Sequence, residues 1–252
     1  MSRQRIKTDA ELDAMRESGR MLATVLDFLT KKVQENMTPK DLALMAGEEL
    51  KKLGGEPAFL GYQGFPDVIC ISVNDQVQHS IPNTKKISVG DVINFDFGVK
   101  YKGMITDAGT TVIVGGRALT QLDDILVKGT LEAREAAVSM IKAGIKVGDI
   151  SSTVQSVLEK YKLGIVKELV GHGVGHELHE DPEIPNYGRA GVGPTLLAGM
   201  TIAVEPITTS GSPDIFIDRD GWTIKTWDGS NSAQFEHTIL VLENGSEVLT
   251  KL

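Results

Sequence analysis

Two aspartates set inside otherwise apolar, β-prone runs constrain this chain more than any other feature. Asp96 interrupts residues 91–99 (DVINFDFGV), and Asp107 falls within residues 104–114 (MITDAGTTVIV) after a short polar turn. Runs rich in β-branched and aromatic residues, bounded by turn residues, read as strands, and two so joined form an antiparallel hairpin. A turn centred on Tyr101 and Lys102 would set Asp96 directly opposite Asp107, with Cβ atoms roughly 5 Å apart; a bulge at Gly103 would shift the pairing by one. Like charges so placed repel, and burial raises the cost further. A shared proton, a basic neighbour or a cation has to compensate. Neither strand offers a basic side chain on that face. A bound cation is therefore expected, and hard oxygen ligands suit a divalent metal.

Three later residues extend the set. Glu205 closes the apolar run 200–204 and precedes Pro206, whose ring favours an extended backbone before it. Glu236 sits in residues 234–238 (QFEHT), on the face shared by Gln234 and Thr238. His172 lies between Gly171 and Gly173, which let imidazole and backbone approach a ligand closely. Carboxylates from several strands with one histidine point to two metals, one or two of the carboxylates bridging them. Two ions about 3.5–4 Å apart lower the pKa of a shared water and hold an attacked carbonyl. Taken singly, each residue has a plainer reading. A strand aspartate faces solvent, a glutamate before proline lies on the surface, and His172 or His179 orders a loop. Tyr62, Phe65, Cys70 and Trp222 would each sit in a core. The ordered set outweighs these separate readings.

The rest of the chain supplies a frame. Thr8 and Glu11 have the spacing of a capping box, and Leu12, Met15, Leu22, Leu26 and Leu29 follow at helical spacing. A second helix opens at Thr38 and Pro39 and stops at Gly54 and Gly55; residues 120–142 and 149–164 predict two more. Strands are expected at residues 68–73, 91–99, 104–114, 200–204 and 235–242. Two helices then strands, twice over, predict an α+β fold with helices outside a curved, mostly antiparallel sheet. Displacing the chain by 110 residues aligns Leu12, Asp13, Gly19, Ala23, Lys32, Glu49, Lys52, Leu53 and Gly54 with identical residues. Those nine identities exceed the roughly three that average composition would give. Residues 1–252 are thus expected to form a single pseudo-twofold domain, with halves about 1–115 and 116–252 and a site at their junction.

Composition narrows the partners. With Lys+Arg 26 and Asp+Glu 34, the net charge of -8 disfavours a general affinity for nucleic acid or anionic lipid. It leaves room for a local basic patch of the kind a ribosome-associated enzyme uses. The single cysteine, Cys70, excludes an internal disulfide and fits a reducing compartment. Residues 1–7 lack an apolar leader, and no run of 18 apolar residues spans a membrane. A cytoplasmic protein is expected.

Several motifs in order then carry a resemblance over nearly all 252 residues. They are residues 11–19 (ELDAMRESG), 57–73 (PAFLGYQGFPDVICISV), 73–79 (VNDQVQH), 171–182 (GHGVGHELHEDP), 200–206 (MTIAVEP) and 234–238 (QFEHT). Together they resemble the methionine aminopeptidases of the short, single-chain type. That resemblance implies the pita-bread fold and a hydrolase that removes the N-terminal methionine of nascent polypeptides with metal-activated water. It implies Asp96, Asp107, His172, Glu205 and Glu236 as ligands of two divalent ions, whether Mn, Fe, Co or Zn. Asp107 and Glu236 would bridge the ions, Asp96 would hold one, and His172 and Glu205 the other. Glu205 would also carry a proton, and His79 and His179 would bind the substrate and stabilise developing charge. Tyr62, Phe65, Cys70 and Trp222 would line the methionine pocket. A monomer is expected, with the ribosome as a candidate partner.

The chain departs from the family pattern at four places. Ser80 follows His79 where glycine is usual, and residues 101–107 lack the small residue usual just before Asp107, Thr106 standing there, so that this segment resembles Xaa-Pro peptidases instead. His176 replaces a common arginine, and Leu178 a common aromatic. The rival readings are a Xaa-Pro aminopeptidase, a non-catalytic pita-bread binding module, and a creatine-type hydrolase of the same fold.

Overall fold

The computed structural model describes residues 6–252; residues 1–5, part of the stretch 1–7 in which no apolar leader is expected, lie outside the described residues. Helix α1 (Asp9–Lys32) starts at the expected box: Glu11 N donates to the Thr8 hydroxyl, and Glu11 Oε2 accepts the Thr8 N–H at 2.8 Å. Helix α2 (Pro39–Leu53) repeats the device with Thr38 and Asp41, and it closes on Gly54 at φ 83°. Helix α3 (Gln121–Met140) is capped by Thr120. Helix α4 (Val147–Lys160) starts two residues before the predicted position, because Asp149 accepts the Lys146 N–H at 2.8 Å from inside the first turn. It also ends early, since Lys162 turns left-handed at φ 56° and Gly164 and Ile165 pair as a strand with Thr209 and Thr208.

Every strand pairing among the described residues is antiparallel. The strand Val92–Tyr101 runs through the first sheet, with Met104–Ile113 on one edge and Cys70–Val73 and Glu56–Pro57 on the other. A five-stranded sheet follows the order Gly245–Val248, His237–Leu242, Thr201–Val204, Gly171–Gly173, Glu180–Ile184. Two three-stranded sheets complete the set, one of Ser232–Gln234, Ile207–Thr209 and Gly164–Ile165, the other of Ile215–Ile217, Ile224–Thr226 and Gln76–Gln78.

One expected register is corrected. Tyr101 pairs with Met104, Gly98 with Asp107 and Asp96 with Gly109. The turn is therefore the two-residue pair Lys102 and Gly103, at φ 48° and 83°, the left-handed geometry that matches the twist of a hairpin. Asp96 and Asp107 keep a common face but stand as diagonal neighbours, a spacing of about 7–8 Å instead of 5 Å.

Alternation along these strands separates core from site. Phe95 and Phe97 are fully buried with Leu22 and Leu29 of α1 and Leu42 and Leu50 of α2; Asp96, between them, points the other way. Helices α3 and α4 bring Leu126, Ile150 and Leu158 onto Ile202, Val204, Ile239 and Val241. Helix α1 approaches the C-terminal backbone so closely at Gly19 that a Cβ there would lie 2.2 Å from the Leu249 carbonyl oxygen. Among the described residues, no helix is long and apolar enough to cross a membrane.

Candidate metal centre

The site forms where the sheets meet. Thr238 joins the hairpin to the five-stranded sheet: the Asp107 N–H donates to its hydroxyl at 2.9 Å, and the hydroxyl donates to the Asp107 carbonyl at 2.7 Å. Glu205 lies between the strands Thr201–Val204 and Ile207–Thr209, and Glu236 between Ser232–Gln234 and His237–Leu242. These two gaps face each other, because His237 pairs with Val204 and Ile207 with Gln234. Both chains thus leave one sheet for another at the same level, which turns both glutamates inward. Glu236 is consequently not part of a continuous strand with Gln234 and Thr238, as the alternation had suggested. Its N–H donates to the Gly109 carbonyl at 2.9 Å, and Gln234 Nε2 donates to its carboxylate at 3.2 Å.

Asp96, Asp107, His172, Glu205 and Glu236 are all buried. Ligand atoms of Asp107, His172 and Glu236 lie within 4.8 Å of one another, and His172 Nε2 is 3.5 Å from Glu205 Oε1. Asp107 Oδ1 and Glu236 Oε1 are buried without a hydrogen-bond partner. Among the described residues, no lysine or arginine offsets the four acids. Burial lifts the Asp96 pKa to about 7. Burial and mutual repulsion push Asp107, Glu205 and Glu236 well above the usual carboxylate range. Groups that must shed protons to share one buried space need added positive charge.

His172 is prepared as a neutral ligand. Burial and the neighbouring His179 hold its pKa down to about 3. Its Nδ1 sits 2.9 Å from the Gly173 carbonyl oxygen, which can only accept. Nδ1 therefore carries the proton, and Nε2 presents its lone pair. Orphaned carboxylate oxygens, an imidazole nitrogen presenting its lone pair and the lack, among the described residues, of a basic counter-charge fit divalent metal ions.

A cavity of about 540 Å³ opens onto this cluster. Tyr62, Phe65, Cys70 and Trp222 line it, as do His79, His179, Phe59 and Leu178. Phe65 and Trp222 meet edge to face at 5.2 Å, and burial pushes the Cys70 thiol up, leaving it neutral. His179 Nδ1 is 2.9 Å from the Tyr62 hydroxyl, and its ring stands edge-on to His172 at 4.3 Å. Desolvation, helped by His179, holds His79 at about 4, and desolvation also lowers His179.

Of the four departures, only Leu178 reaches the cavity wall. Ser80 is fully buried and accepts a hydrogen bond from Ser72 at 2.9 Å. His176 faces Glu11 at 2.7 Å, and Thr106 meets Ser18 at 2.8 Å on the helix side of the sheet. The structure adds one residue that the sequence did not single out. Gln78, in residues 73–79, lines the cavity and donates to two of the acids. Its only local signal is a polar side chain beside His79.

The family description for metallopeptidase family M24 matches residues 13–243. A methionine aminopeptidase of Clostridium perfringens is 39% identical over 245 residues, covering 97% of this chain and 98% of its own length. The crystal structure of a methionine aminopeptidase from Thermotoga maritima superposes with a TM-score of 0.97 at 43% identity, covering 99% and 100% of the two chains. A prolidase from Pyrococcus furiosus superposes with a TM-score of 0.80 at 25% identity, over 99% of this chain but 66% of its own.

Proposed function

The chain belongs to metallopeptidase family M24, and we propose that it uses the family's pita-bread fold to remove N-terminal methionine from nascent polypeptides with two divalent metal ions. One observation carries the reading. Four buried carboxylates and a neutral histidine share a space that, among the described residues, no lysine or arginine offsets, and that space opens onto a cavity walled by aromatic rings and a thiol.

In this reading Asp107 and Glu236 would be shared by the two ions, Asp96 would hold one, and His172 and Glu205 the other. Held by these residues, divalent ions would supply the acidity that activates a water and polarises the scissile carbonyl. Cys70, Phe65, Tyr62 and Trp222 receive the methionine side chain, an unbranched thioether that packs well against rings and sulfur. His79 and His179 stay neutral at pH 7 and supply hydrogen bonds where charge develops. Glu205 takes up a proton and delivers it to the leaving amine. We read residues 1–115 and 116–252 as duplicated halves of one catalytic unit; the nine identities at a 110-residue displacement support this. On this reading the enzyme works in the cytoplasm beside the ribosome as a 27.2 kDa monomer, a mass that light scattering measures. Mn, Fe, Co and Zn all suit the ligand set.

The test compares Met-Ala-Ser with Leu-Ala-Ser, with and without chelator. Hydrolysis of the first alone, lost on chelation and restored by Mn²⁺ or Co²⁺, is expected. Equal turnover of both peptides, or indifference to chelator, overturns the proposal. Faster cleavage of an X-Pro-Y peptide than of Met-Gly-X would favour the Xaa-Pro reading. Full-length agreement with methionine aminopeptidases, against partial coverage of the prolidase, speaks for methionine.

A further inference from the structure

We propose that Gln78 is a positioning residue of the metal centre, its side-chain amide tying Asp96 to Glu205 across separate sheets. The inference rests on reading those two acids as metal ligands. Gln78 Nε2 lies 3.1 Å from Glu205 Oε2 and 3.4 Å from Asp96 Oδ2. A primary amide carries two N–H groups on one nitrogen, so it serves both carboxylates at once. Among the described residues, no other side chain donates a hydrogen bond to Asp96.

The backbone is arranged to put this amide there. Gln78 ends the strand Gln76–Gln78, and Val77 faces the opposite way into a cluster with Val166, Ile207 and Ile224. Strict alternation would send His79 the same way as Val77. His79 instead adopts φ 56°, and both Gln78 and His79 line the cavity. The two successive side chains therefore have distinct tasks on one wall.

The amide also selects oxygens. It engages Oε2 of Glu205, while Oε1 faces His172 Nε2 at 3.5 Å. On Asp96 it takes Oδ2 and leaves Oδ1. Each carboxylate is thereby held with one oxygen occupied by the amide and the other left to meet an ion. A lysine in this place would hold the acids but compete with the metal by its charge. An uncharged donor orients them without that competition, the way partners behind metal ligands usually act.

The test uses the chelator-stripped full chain and two variants. Gln78→Met keeps length and bulk but removes both donors; Gln78→Asn keeps the amide and draws it back by one methylene. Calorimetry with Mn²⁺ reads affinity, and the visible absorption of added Co²⁺ reads ligand geometry, which a generally loosened fold would not shift in band position. The Met variant is expected to bind Mn²⁺ about 10- to 100-fold more weakly, with displaced Co²⁺ bands and unchanged circular dichroism. The Asn variant should move in the same direction, and it decides the matter should the Met variant not fold. Mn²⁺ affinity within about two-fold of the parent and an unaltered Co²⁺ spectrum would overturn the assignment. A parent protein that binds no Mn²⁺ at all would instead bring down the proposed function.

Discussion

A histidine ligates only when neutral, and the proposed ligand His172 is held neutral by burial and by the neighbouring His179, while the Gly173 carbonyl fixes its tautomer. The acids around it face the reverse problem, since each must be ionised to ligate and burial opposes that. Asp107 stands at the middle of the cluster, with Oδ1 unpartnered. Asp107→Ala is expected to abolish both Mn²⁺ binding by calorimetry and hydrolysis of Met-Ala-Ser; normal turnover would remove the mechanism. The same groups set a pH dependence in the metal-free protein. Raised carboxylates make the folded chain hold more protons than the unfolded one, so their contribution is full below about pH 4 and is lost as pH rises through the folded values. For Asp96 that value is about 7. His79, His172 and His237, lowered to about 4, 3 and 3, act oppositely, and their contribution is lost as pH falls below their ordinary values. By roughly pH 7.5 an ordinary imidazole has lost its proton in both states, so above it the histidines no longer oppose the acids. Scanning calorimetry of stripped protein should show Tm falling from about pH 7.5 to 8.5; a rise across that window would contradict the assignment.

Helix ends were legible because their signals are local. Thr8 with Glu11, Thr38 with Asp41 and Gly54 each satisfy backbone groups a few residues away. The hairpin was legible, but its register was not: Lys102 takes a left-handed conformation that its side chain does not advertise, so Gly103 alone marked the turn. The break at Phe235 and Glu236, and the reach of Gln78 to two carboxylates, depend on strands distant in sequence. One such distant contact bears directly on His179. Lys7 Nζ meets Glu180 Oε2 at 2.6 Å with both side chains buried, and Glu180 Oε1 accepts the His176 and Glu177 N–H groups. The segment before α1 thus anchors the turn that carries Leu178 and His179. Lys7→Met would leave the Glu180 carboxylate buried without its cation, at a cost of about 3 kcal/mol. Urea denaturation should show that loss, and an unchanged midpoint would count against the anchoring role.

The molecule keeps its helices outside and gathers its acids along the line where its sheets abut. On the proposed reading, folding must bring Asp96, Asp107, His172, Glu205 and Glu236 together before both ions can bind, so a chain that stops short of Glu236 would not hold the full set. Ions that bind only the folded chain stabilise it by mass action, about 2.7 kcal/mol at a hundred times Kd. Thermal scans at rising Mn²⁺ concentration should therefore show Tm climbing, and a Tm indifferent to Mn²⁺ would argue against a site made only on folding.

The facing gaps at Glu205 and Glu236 amount to a crease across the centre of the molecule, closed by few backbone hydrogen bonds of its own. Metal ions clasped by both glutamates would rivet that crease shut. Stripping them should speed amide exchange at Phe235 and Glu236 while the flanking strands stay protected, which places the enzyme's softest line through its most reactive point.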